Sequence, residues 1–243
     1  MSAGDATGDR SPRSRAGTRT RIIDAAASLY LAQGEANTTI EEIAAKAGMS
    51  ASSVYRYFGG KRAVEDAMID EALSQAESYL GAARRAPSPM ERVRGAGVAY
   101  FRVAVEYPVA MRFFAARSLR DGGEHSERFD RAVTVRTREM IISVAADLRQ
   151  AMDTGEIPPG RVADVLLFLW GSWSGVITAM VRRDDLAVDA ESAARALDLG
   201  QYALSAALTR AGLEPGAAGP EPTPEAMPWA RISPAPDPSG GRR

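Results

Sequence analysis

Between Thr39 and Lys61 the sequence lays out two helices too short to stand by themselves, and that shortage constrains everything around them. The first opens on Thr39-Ile-Glu-Glu42, a capping box. In it the threonine oxygen accepts an orphan amide and the glutamate reaches back to the amide of the cap. Ile40, Ile43, Ala44 and Ala47 form the apolar face, and Gly48 stops the helix after about two turns. Ser50 caps a second short helix predicted over 51–57, which Gly59-Gly60 ends. Isolated helices of fewer than about 12 residues are marginal in water, so both need cover. A helix predicted over 18–33 supplies it. Its Ile22, Ala26, Leu29 and Tyr30 fall at i, i+4, i+7 and i+8 on one stripe, and Gly34 ends it. The expected unit is three helices containing a helix-turn-helix.

The second short helix carries what a DNA groove selects. Ala51, Ser52 and Ser53 are small and permit close approach to base edges. Tyr55, Arg56 and Tyr57 bring hydrogen-bond donors and stacking area. An arginine can hold guanine by two bonds, worth roughly 1–3 kcal/mol of discrimination. Lys61 opens the next helix and is placed to meet a phosphate. Charge supports this reading. The formal net charge is −1, yet the segment through Arg62 holds nine basic and six acidic residues. Five arginines and no acid occupy Arg10 to Arg21, an arm that a phosphate backbone attracts.

The stretch RIIDAAASLYLAQG…TTIEEIAAKAGMSASSVYRYFGGKRAV resembles the DNA-binding domain of the tetracycline-repressor (TetR) family. Ala26, Leu29, Tyr30, Gly34, Thr39, Ile43, Ala44, Ala47, Gly48, Ser50, Tyr55, Tyr57, Phe58 and Lys61 carry the likeness, with Ile22 or Ile23 ahead of them. The resemblance implies a homodimeric transcriptional regulator, usually a repressor, released from a palindromic double-stranded DNA operator when a small molecule binds its C-terminal helical domain. It implies phosphate contacts from Thr39 and Lys61, and Ser50 as the cap of the recognition helix. Ala51, Ser52, Ser53, Arg56 and Tyr57 would face the groove, Tyr55 would pack and touch the backbone, and Val54 and Phe58 would look inward. Gly60 departs from the pattern, standing where a helix-capping serine or asparagine is usual, and Val64 stands where leucine is common.

Beyond the head the chain reads as helical throughout, with helices expected over 61–83, 89–106, 108–119, 125–152, 161–182 and 190–211, about nine in all. The expected fold is all-α: a helix-turn-helix domain over 18–61, then a larger ligand-binding and dimerisation domain over 62–211. Residues 1–17 read as a disordered basic arm. Eight of the fourteen prolines lie between Pro215 and Pro238, so 212–243 reads as a disordered tail.

Val165 to Val181 has no charge, with Gly171 and Gly175 spaced as GxxxG, which a membrane helix could also offer. Asp164, Ser172, Ser174 and the glycines dilute that pattern, so a buried helix of a soluble dimer is the preferred reading. The homodimer is expected through the last two helices, about 161–211, as the resemblance also implies. The small-molecule effector is expected to be largely apolar, against Tyr100, Met111, Phe114, Trp170 and Trp173, with Arg117 and Arg136 as weaker candidates for an anionic group. No cysteine is present and His125 is the single histidine, so no metal, cofactor or catalytic residue is expected. The expected location is the cytoplasm, on the nucleoid.

Overall fold

The computed structural model describes residues 12–118 and 127–210. Among the described residues there are nine helices and no strand. They are α1 (Pro12–Gln33), α2 (Ile40–Lys46), α3 (Ala51–Phe58), α4 (Lys61–Ala83), α5 (Pro89–Glu106), α6 (Pro108–Ser118), α7 (Glu127–Asp153), α8 (Val162–Val181) and α9 (Ala190–Arg210). Residues 1–11, His125 and the proline-rich segment 212–243 lie outside the described residues.

One expectation is corrected. The first helix starts at Pro12, not Thr18, so 12–17 belong to α1 rather than to a disordered arm. Proline at a first helical position has no amide to leave unpaired and a preset φ, which makes Pro12 a natural start.

The chain divides into two compact units. The first comprises the described parts of Met1–Gln75 and Val103–Phe129, so it continues past residue 61 into α4 and takes in α6. Its core is the α1 stripe, with Ile22, Ala26 and Tyr30 at 1% exposure or less and Leu29 half-buried. Ile43 of α2, Val54 of α3 and Val64 of α4 are fully buried. α1 packs on α2 and on α6, and α2 packs on α3. The Tyr30 ring meets Phe113 of α6 edge to face, at 5.6 Å between centroids.

The second unit comprises the described parts of Ala76–Arg102 and Asp130–Arg243. Met90, Val93, Val144, Leu148, Val162, Leu166, Leu169, Trp173 and Leu197 are among the residues of its core. Two polar braces hold its loops. Glu156 accepts from Ser88 Oγ at 2.5 Å and from the Met90 amide at 3.2 Å, satisfying the start of α5. Arg92 donates to Asp147 at 2.7 Å, with both side chains largely buried. α8 packs on α9.

Gly97 is a point of close packing in this unit. A Cβ there would stand 2.8 Å from Trp173 Cζ2, 2.9 Å from its Cε2 and 3.1 Å from Gln201 Nε2. Gly97→Ala is therefore expected to destabilise the protein by about 1–3 kcal/mol. Urea unfolding measures this, and an unchanged midpoint would show that Trp173 can move aside freely.

Candidate nucleic-acid interface

The turn between α2 and α3 is built from backbone rules. At its entry the capping box is complete: the Glu42 amide donates to Thr39 Oγ1 at 3.2 Å, and the Thr39 amide donates to Glu42 Oε2 at 2.9 Å. Gln33 Nε2 adds a further bond to the same carboxylate oxygen at 3.1 Å. These donors hold the Glu42 carboxyl below its ordinary 4.5, the Thr39 amide being the largest cause. A depressed carboxylate stabilises above its ordinary pKa, and that contribution fades as acid titrates it through the lowered value.

At the exit of α2 the Gly48 amide donates to Ala45 O at 3.1 Å and the Met49 amide to Ala44 O at 2.9 Å. This pair of bonds is a Schellman motif, and it needs a left-handed residue at Gly48, whose φ is +70°. Ser50 then caps α3, its Oγ accepting from the Ser53 amide at 3.3 Å and lying 2.9 Å from Ser52 Oγ. Gly59, at φ +78°, ends α3, its amide bonded to Tyr55 O at 2.7 Å.

α3 buries Val54 and turns its other side outward. Among the residues expected to meet DNA, Thr39, Ser50, Ser52, Tyr55 and Arg56 are exposed, while Ala51, Ser53, Tyr57 and Lys61 are half-buried. Tyr55 is 48% exposed. Phe58, expected to look inward, is half-buried, with the Arg19 guanidinium 5.5 Å from its ring centroid. That contact was hidden in the sequence because Arg19 read only as one charge of the arm. Lys61 has protein partners. Its ammonium donates to the Glu35 carbonyl, lies 3.8 Å from the Glu35 carboxylate and stands 5.7 Å from the Tyr30 ring centroid.

The residues expected to line an effector pocket fall in different units. Tyr100, Trp170 and Trp173 belong to the second, Met111 and Phe114 to the first. Tyr100 and Trp170 stack at 5.4 Å with ring planes 7° apart, and Trp173 is buried. Burial pushes the Tyr100 hydroxyl upward in pKa, against a hydrogen bond with Ser174. Arg136 is already held by two bonds to Glu77, at 2.6 and 3.0 Å, and the Arg117 side chain lies outside the described residues.

The paired short helices, their caps and their outward-facing polar residues define a helix-turn-helix protein. Residues 22–68 match the family model for bacterial regulatory proteins of the tetR family. Residues 22–68 thus form a DNA-binding module of the tetR type. The chain is 46% identical over 52 residues to the HTH-type transcriptional regulator SrpR of Pseudomonas putida, a match spanning 21% of this chain and 24% of that one.

Solved structures share the fold over most of the chain. A TetR family transcriptional regulator, PfmR from Thermus thermophilus, superposes with a TM-score of 0.58 at 22% identity, covering 74% of this chain and 94% of its own. AibR in complex with isovaleryl coenzyme A and operator DNA superposes with a TM-score of 0.56 at 18% identity, covering 73% of this chain and 94% of its own.

A Cβ on Gly48 would meet nothing within 4 Å, so only its backbone conformation demands glycine. Gly48→Ala should cost about 1–2 kcal/mol, and Gly48→Asn clearly less, since asparagine tolerates the left-handed region. Thermal melts of the two variants check this, and equal losses would rule out a conformational cause.

Proposed function

We propose that this chain is a sequence-specific DNA-binding transcriptional regulator, a repressor acting as a homodimer in the cytoplasm, on the nucleoid. The observation that carries the reading is α3. It is capped at both ends, anchored by the buried Val54, and exposes Ser52, Tyr55 and Arg56 together. Arg56 and Tyr57 are the proposed base readers. Ala51 and Ser53 allow close approach, while Thr39, Ser50 and Tyr55 face the sugar-phosphate backbone. Arg19, at the edge of α3, adds positive charge there.

The dimer reading rests on α8 and α9. Leu167 and Phe168 are 59% and 58% exposed on α8, and Gly171 and Gly175 extend the same face. Leu199 and Tyr202 are 67% and 74% exposed on α9. Such apolar exposure on two packed helices calls for a cover, and a second copy provides a self-complementary one. α8 is also long and apolar enough to cross a membrane. However, Leu166, Leu169 and Trp173 on its other side are built into the core of the second unit. Insertion would strip that core, which favours the dimer. A two-fold dimer reads a palindrome whose half-sites lie about 34–36 Å or a multiple apart.

The proposed effector is a small, largely apolar molecule received against Tyr100, Trp170 and Trp173, whose aromatic surface suits such a ligand. AibR, which shares the fold, has been solved with isovaleryl coenzyme A and operator DNA.

Selection from a random DNA pool should enrich a palindrome, and equal recovery of all sequences would point to a sequence-neutral binder instead. On the enriched site, Arg56→Ala should weaken binding by roughly tenfold to a hundredfold and blur preference at one base position. Unchanged preference would remove Arg56 from the base readers. Phe168→Glu combined with Leu199→Glu should yield a folded monomer by light scattering, and a persistent dimer would move the interface elsewhere.

A further inference from the structure

Lys61 sits where four parts of the first unit meet. It is the first residue of α4, two positions after the Gly59 that ends the recognition helix. Its ammonium bonds the carbonyl of Glu35, 26 residues earlier in the turn after α1, and pairs with the carboxylate of the same residue. Below the ammonium lies the ring of Tyr30, 1% exposed and held on α6 by Phe113. The Glu35 turn also leads into α2. It starts from Gly34, whose carbonyl accepts from the buried Thr38 Oγ1 at 2.7 Å, one residue before the Thr39 cap.

We propose that Lys61 is a positioning residue, locking the end of the recognition helix to the α1–α2 turn through Glu35 and Tyr30, rather than a phosphate ligand. This rests on the DNA-binding reading above. An ammonium offers three donors and one charge. Here a carbonyl, a carboxylate and an aromatic face already occupy that charge. Moving it to a phosphate would give up the Glu35 carbonyl, the Glu35 carboxylate at 3.8 Å and the face of Tyr30. What the lock fixes is the angle at which α3 leaves the three-helix unit, because only Gly59-Gly60 separates Phe58 from Lys61. The charge therefore acts on the operator through geometry and not through counterion release.

The two roles differ in salt dependence. Each phosphate neutralised contributes about 0.9 to the slope of log affinity against log salt. Lys61→Met keeps the aliphatic stem over Tyr30 and removes only the charge. In the full-length chain it should lower the melting temperature by about 2–4 °C. It should weaken binding to the selected operator by roughly three- to tenfold, measured where circular dichroism shows the variant fully folded, with the salt slope unchanged. Lys61→Arg keeps the charge and can lie over the same ring, so it should recover most of both losses.

A slope reduced by about 0.9 would make Lys61 a phosphate ligand and overturn the proposal. Unchanged affinity or an unchanged melting temperature would overturn it too. If the wild-type chain enriched no DNA at all, the functional reading would fall, and the melting temperature alone would decide whether the lock exists.

Discussion

The burial of one helix stripe supports the whole reading head. α2 has 7 residues and α3 has 8, and helices of that length contribute almost nothing by themselves. Their stability comes from Ile43 and Val54, both fully buried in a unit whose cover is the Ile22, Ala26 and Tyr30 face of α1. Full burial of one such aliphatic side chain contributes about 1.5–3 kcal/mol. Burial of this kind, more than any surface feature of α3, works against the entropy of fixing a short helix. The exposed residues Ser52, Tyr55 and Arg56 of α3 are thus free to be polar, because Val54 and the caps hold the helix in place.

Most of this was legible because local rules set it. Thr39 and Glu42 cap reciprocally, Gly48 supplies the left-handed turn and Ser50 caps α3, and each depends on neighbours within five residues. The partners of charged residues were not legible. Lys61 finds Glu35 26 residues away, and Arg136 finds Glu77 59 residues away. Sequence spacing says nothing about such pairs until the helices pack. The early start of α1 was missed for another reason. The composition of 1–17, rich in glycine, serine, aspartate and arginine, reads as disorder, although Pro12 is a good first helical residue. For the effector, composition pointed to aromatic and Met side chains but could not say which share a unit, and Met111 and Phe114 are assigned apart from the tryptophans.

The second unit applies the same physics with a different result. α8 is apolar on nearly every side, yet only part of it is consumed by its own core. Gly97 lets α5 approach Trp173 of α8 and Gln201 of α9 closely. The unused apolar face on these two packed helices is the one that the proposed dimer would cover.

The extra turns of α1 alter how its charges behave. A flexible arm bearing Arg13 and Arg15 samples a wide volume and loses that freedom whenever it settles on a polyanion. On a helix rising about 1.5 Å per residue, the same backbone positions are delivered at fixed distances from Arg19 and from the edge of α3. The backbone of 12–17 therefore continues the line of α1 ahead of Arg19. Its reach is set by helix geometry and not by chance encounters of a tail.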